Sequence, residues 1–227
     1  KIFFTGSVAT GKKIMKQASE QLIPVELELG GKDAAIVFED VNIKRAAAGI
    51  VWGALTNSGQ SCTSVERVFI HEKIYDDFKK ETLKICEKIK QLIDQDGDSD
   101  IGEMTTESQI KLVKEHLEDA LEKGAVLLTK DTWDRVSSKI PPLLIEKISS
   151  DMRLAKEETF GPVIPLYKFC DESEAIKMTN DSEFGLSASV WSADKLRAER
   201  VARRLEVGNV SINNVMLTEG NPYLPFG

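Results

Sequence analysis

The sequence predicts an α/β domain built on a doubly wound, mostly parallel sheet with helices on both faces. Two observations lead there. Short apolar or alternating runs, about four to seven residues long, recur along the chain, and helical patterns separate most of them. A strand lying parallel to its predecessor needs a crossover, and crossover helices of about ten or more residues wind onto both faces of such a sheet.

Taken in order, Ile2–Thr5 reads as a buried strand, and residues 6–11 as a turn into a helix. Residues 25–29 and 33–38 are two further short strands. Residues 42–56 are Ala-rich, with Ile43, Ala46, Ala47, Ile50 and Val51 at helical spacing. After Gly59-Gln60-Ser61-Cys62, Val65–His71 alternates as a strand. Residues 74–92 form an amphipathic helix with Phe78, Leu83, Ile85, Ile89 and Leu92 inward. Residues 94–100 are an acidic loop. A helix over 107–123 is closed by Gly124, the residue type suited to a left-handed end. Strands are expected at 125–129, 143–148, Val163–Phe169, Ser187–Trp191 and 207–212, with helices over Glu172–Asn180 and 194–206. A boundary is expected at Leu29-Gly30-Gly31, dividing a small unit, 1–29, from the main domain, 30–227.

Composition narrows the function classes. With 30 Lys and Arg against 37 Asp and Glu, the formal charge of −7 argues against a nucleic-acid partner. No apolar run approaches the roughly 18 residues of a membrane span. Three widely spaced cysteines suit a reducing compartment, hence a cytoplasmic location. With no CxxC pair and only two distant histidines, no metal is expected. The chain opens at Lys1 directly into a strand and stops at Pro225-Phe226-Gly227 without a polar tail, so both ends read as cut.

Several segments could carry chemistry. Cys62 sits among Gly59, Gln60, Ser61 and Thr63, small polar company in which backbone amides could favour the thiolate a nucleophile needs. An inert buried cysteine is the bland alternative, and it is the reading for Cys86 and Cys170. Glu28, at a strand end before two glycines, is placed where backbone approaches a ligand, although a solvated glutamate would look the same. Gly6 to Gly11 opens a helix and offers a phosphate seat. It nearly matches a P-loop, but Lys13 stands where Ser or Thr must bind magnesium, and no suitable Asp-ended strand follows. Glu157-Glu158-Thr159-Phe160-Gly161-Pro162 is an ordinary charged turn by itself. Asp96, Asp98, Asp100 and Glu107 have calcium-loop spacing, but Ile101 occupies the glycine position.

In this order the segments resemble the aldehyde dehydrogenase superfamily, over nearly the whole chain. Phe4-Thr5-Gly6-Ser7 through Gly11 is similar to the family's cofactor-phosphate turn. Leu27-Glu28-Leu29-Gly30-Gly31-Lys32 matches its glutamate signature, and Gly59-Gln60-Ser61-Cys62 its cysteine signature, at the family's step of 34 residues from Glu28. Glu158-Thr159-Phe160-Gly161-Pro162 resembles the segment whose glutamate holds the nicotinamide ribose. Leu224-Pro225-Phe226-Gly227 resembles the late Pro-Phe-Gly-Gly turn. Ser64 departs from the usual Ala, Gly, Cys or Asn, though serine is also small.

The resemblance implies oxidation of a small-molecule aldehyde to the acid with NAD or NADP. Cys62 would be the nucleophile and Glu28 the general base. Gly6, Ser7 and Gly11 would lie near the pyrophosphate, Glu158 and Phe160 at the ribose and ring, and the Leu29 backbone near the carboxamide. Residues 1–29 would be the end of the dinucleotide-binding domain and 30–227 a truncated catalytic domain of a homodimer or homotetramer. Since the family's first cofactor strands and oxyanion asparagine come earlier in its chains, this piece alone is expected not to turn over. A coenzyme A acylating relative is disfavoured by Glu28. From other classes, a P-loop nucleotide-binding protein and a non-catalytic binding domain of the same fold remain as alternatives.

Overall fold

Residues 1–91, 99–130, 132–216 and 223 are described by the computed structural model of the chain. β1 (Ile2–Thr5) and β2 (Val25–Glu28) pair in parallel, with Thr5 opposite Glu28. α1 (Val8–Ser19) is their crossover. Its N-cap is Ser7, whose hydroxyl accepts the Thr10 amide at 3.3 Å and satisfies one of the end amides of the helix. These two strands form a sheet of their own.

Beyond Gly31 the chain builds a second sheet of seven strands. These are β3 (Asp33–Val37), β4 (Val65–His71), β5 (Val126–Leu127), β6 (Leu143–Glu146), β7 (Val163–Phe169), β8 (Ser187–Trp191) and β9 (Asn209–Ile212). The order across the sheet is β5-β6-β7-β4-β3-β8-β9, antiparallel only at β5–β6. β3 and β4 are buried at every residue, as parallel strands covered on both faces must be. Side chains of β3 alternate between the faces. Ala35 and Val37 pack with Ala46 and Ile50 of α2 (Ile43–Leu55) and Phe78 of α3 (Tyr75–Cys86). On the other face, Ala34 and Ile36 pack with Ala175 of α6 (Glu172–Asn180) and Val201 of α7 (Lys195–Ala202). Leu143, Ile145 and Val163 are covered by Val113 and Leu117 of α4 (Glu107–Glu122). The doubly wound α/β class is therefore what the chain adopts.

Several bounds differ from the sequence expectations. The amphipathic helix ends at Cys86, not in the low nineties. The Lys90 amide donates to the Asp100 carboxylate at 2.8 Å and the Lys90 carbonyl accepts the Asp100 amide at 2.9 Å, so tertiary bonds replace helical ones. Leu92, Asp96 and Asp98 lie outside the described residues, as does Leu224-Pro225-Phe226-Gly227. Gly11 lies inside α1, not in the turn before it. Among the described residues three short elements were not expected, 3-10 turns at Thr56–Gly59 and Glu72–Ile74 and α5 (Arg153–Lys156).

Candidate active site

Parallel pairing places the starts of β3, β4, β7 and β8 along one edge of the large sheet. Gly30-Gly31 lead into β3, Cys62 lies just before β4, Glu158 and Phe160 just before β7, and Leu186 before β8. The flagged segments around Gly30, Cys62 and Glu158 therefore lie at one end of the sheet. Glu28 enters from the small sheet as the last residue of β2.

The cysteine loop has a specific backbone. After α2, Asn57, Ser58 and Gly59 all adopt left-handed conformations, with φ of 52°, 58° and 72°. Such a run is costly for side-chain-bearing residues and holds only when its surroundings fix it. Here the buried Ser58 hydroxyl donates to the Gly102 carbonyl at 2.9 Å, and the Gln60 side chain accepts the Thr105 amide at 2.9 Å. A side chain at Gly59 would strike the Gly161 carbonyl, so the loop is also pressed against the turn after Phe160. Cys62 itself is half-buried.

The glutamate motif touches the Gly6–Gly11 segment, the cysteine loop and the Glu158 turn. The Glu28 carbonyl accepts the Gly6 amide at 3.0 Å, while the Leu29 side chain packs against Gly11 of α1. Gly30 lies against the Glu158 carboxylate, and the Gly31 amide donates to Glu158 Oε1 at 3.0 Å. Gly31 also abuts the Cys62 carbonyl, leaving no room for a methyl group. Glu158 is half-buried, and that burial pushes its carboxyl up to about 7 against the opposing pull of the Gly31 amide. Phe160 sits at a left-handed φ of 50°.

Four polar residues that support this arrangement escaped sequence reasoning. Lys32 Nζ donates to Glu66 Oε2 at 2.9 Å, and both side chains are nearly inaccessible, at 1% and 3%. Glu66 also accepts the Thr159 amide at 2.7 Å and the Phe160 amide at 2.8 Å. Arg67 Nε donates to the Lys32 carbonyl at 2.9 Å and its Nη1 to the Thr179 carbonyl at 3.0 Å. Asp33 accepts the Ser187 amide at 3.0 Å and the Ser187 hydroxyl, and burial raises its carboxyl to about 8. The available signal was charge at the starts of otherwise apolar strands, because a buried charge must have a partner.

The other cysteines differ from Cys62. Cys86 is buried, and desolvation pushes its thiol up to about 12. Cys170 corrects the sequence reading: it is exposed, one residue past the end of β7. The hydrogen bond from its thiol to Glu72 raises its pKa, as do the Glu72 and Glu174 charges. Among the described residues, no cluster of three or more His, Cys, Asp or Glu could hold a metal, and no helix is long and apolar enough to cross a membrane.

The profile of the aldehyde dehydrogenase family matches residues 1–227. The chain belongs to that family. It is 43% identical, over all of its own length and 42% of the relative's, to the 4,4'-diapolycopene aldehyde oxidase of a Methylomonas species. It is 35% identical, over 100% of itself and 47% of the relative, to the NADP(+) succinate-semialdehyde dehydrogenase of Escherichia coli. Among solved structures it resembles an aldehyde dehydrogenase from Anabaena variabilis, with a TM-score of 0.93 and 37% identity over 98% of this chain and 48% of that one. A betaine aldehyde dehydrogenase of Staphylococcus aureus solved with NAD+ gives 0.89 and 32% identity over 98% and 44%. The chain thus spans about half the length of the curated relatives it matches. Family membership does not favour the P-loop alternative.

Proposed function

We propose that the protein containing this chain oxidises an aldehyde to a carboxylic acid with NAD or NADP, with Cys62 as nucleophile and Glu28 as general base. The observation that carries this is the contact of the glutamate motif with the cysteine loop at Gly31 and with Glu158 at Gly30 and Gly31.

In this mechanism the Cys62 thiolate attacks the aldehyde carbon, and the backbone amide at Cys62 donates to the oxygen that becomes negative. The thiohemiacetal so formed gives up its hydride as the carbonyl reforms, leaving a thioester on Cys62. Glu28 takes a proton from water, which attacks the thioester carbon. The C–S bond breaks, the acid departs and the Cys62 thiolate returns.

The residues present suit a dinucleotide cofactor. The first turn of α1 carries no acidic side chain, so its amides and dipole favour phosphate, and Gly6 and Ser7 at its start are exposed. Gly6 and Ser7 would serve the pyrophosphate, while Gly11, buried in α1 with its amide donating to the Ser7 carbonyl at 2.9 Å, would seat the helix against Leu29 and not touch the phosphate. Glu158 and Phe160 would serve the ribose and ring, and the Leu29 backbone the carboxamide. When bound, the oxidised nicotinamide supplies the hydride acceptor.

The division at residues 29 and 30 is supported by the separation of the two sheets. Because the relatives are about twice as long, we also propose that the 227-residue chain alone does not reduce NAD or NADP. A homodimeric or homotetrameric, cytoplasmic enzyme is the accompanying proposal. The test is Glu28→Gln in the full-length protein: aldehyde and oxidised cofactor should leave an acyl group on the Cys62 peptide by mass spectrometry. Unacylated Cys62 in a variant that still reduces the cofactor would contradict the assignment.

A further inference from the structure

Glu66 lies four residues past Cys62, and its carboxylate is the meeting point of three separate segments. Lys32 Nζ reaches it from the glutamate motif at 2.9 Å. The Thr159 and Phe160 amides reach it from the loop before β7, at 2.7 and 2.8 Å. Two of these donors share Oε2 and the third takes Oε1, so both oxygens are engaged at 2% residue exposure. Bonds to an ionised acceptor are shorter and stronger than neutral ones.

These donors have a particular location. Thr159 and Phe160 directly follow Glu158, whose own carboxylate accepts the Gly31 amide one residue before Lys32. Phe160 also needs an unusual backbone, with φ of 50°, which costs energy for an aromatic residue unless something fixes it. Residues 157–162 form no regular element and lie between α5 and β7. Gln109 of α4 donates to the Thr159 carbonyl at 2.6 Å, His116 of α4 meets the Thr159 hydroxyl and Glu157 at 3.2 Å, and the Leu143 amide donates to the Pro162 carbonyl at 2.8 Å. The Thr159 and Phe160 amides go to the Glu66 side chain and not to the backbone of a strand.

We propose that Glu66 is a positioning residue for the Glu158–Phe160 loop, fixing it against the cysteine loop and the glutamate motif, with Lys32 neutralising its buried charge. The proposal rests on the reading of Glu158 and Phe160 as cofactor residues. Glu66 touches neither substrate nor cofactor in this account. It sets where Glu158 and the Phe160 ring stand relative to Cys62.

The test separates loop order from activity. In Glu66→Gln, amide hydrogen exchange of the peptide spanning 157–162 should accelerate about tenfold or more, with the exchange of β3 and β4 core peptides unchanged. In the full-length protein the same change should weaken NADH or NADPH binding, read by nucleotide fluorescence, by about tenfold, and leave Cys62 alkylation within about twofold. Glu66→Gln leaves Lys32 unpaired, so where it fails to fold the doubly neutral Lys32→Met, Glu66→Gln variant replaces it and should show the same local exchange. Unchanged exchange over 157–162 in whichever variant folds would overturn the proposal. Accelerated exchange with unaltered nucleotide binding would also overturn it, while failure of the wild type to bind either nucleotide would sink the cofactor reading itself.

Discussion

Gly31→Ala is the sharpest perturbation of the geometry described above. A Cβ at this position would collide with the Cys62 carbonyl oxygen, a main-chain atom that no side-chain rotation can move away. Its other near neighbours are the side-chain atoms Asp33 Oδ1 and Leu186 Cδ2, each at 3.2 Å, so retreat in those directions also requires them to give way. Either the glutamate motif or the cysteine loop must shift, by about an ångström. Overpacking of this kind costs about 1–3 kcal/mol. At about 2–4 °C per kcal/mol for a domain of this size, Tm should fall by about 2–12 °C. A displacement of about 1 Å between reacting groups costs about a hundredfold in rate, which is the expected fall in kcat for the full-length protein. Gly102→Ala is the control, since its Cβ would meet nothing within 4 Å. Calorimetry and steady-state turnover read both effects. If Gly31→Ala matched Gly102→Ala in Tm and kcat, the claimed contact between the two motifs would be wrong.

Two further outcomes concern buried charge. Lys32→Met leaves the Glu66 carboxylate buried without its cation and should destabilise the fold by about 3–5 kcal/mol in urea unfolding; a loss below about 1 kcal/mol would argue against a buried pair. The folded pKa of Asp33, about 8, lies above its ordinary 3.8, so folding favours its protonated form. That contribution is fully present below about pH 4 and is lost as pH rises through about 8, and Glu158, raised from 4.5 to about 7, has the same sign. Tm measured from about pH 5 to 9 should therefore decline, and Asp33→Asn should flatten the decline; an unchanged slope in that variant would refute the assignment.

The parts of the site that could be read in the sequence were those carried by contiguous residues. Glu28 before a glycine pair and Cys62 after a Gly-containing turn are each weak signals alone and gained meaning only from their order along the chain, while strand and helix periodicity located most elements of the large sheet. The supports were hidden because they join distant positions: Glu66 meets Lys32 across 34 residues and Thr159 across 93. Tertiary bonds also ended the helix at Cys86, where periodicity alone would have continued it. Cys170 was misread because a strand end says little about exposure one residue further on. Phe169 is buried and its neighbour is not.

The measurement that reaches the central claim most directly is competitive alkylation of the three cysteines with limiting iodoacetamide near neutral pH, read by peptide mass spectrometry. Access alone would favour Cys170, the exposed thiol. Its carboxylate neighbours hold it in the unreactive protonated form, and Cys86 is both buried and raised to about 12. Preferential labelling of the half-buried Cys62 is therefore the predicted result, while labelling led by Cys170 in both this chain and the full-length protein would contradict Cys62 as the nucleophile.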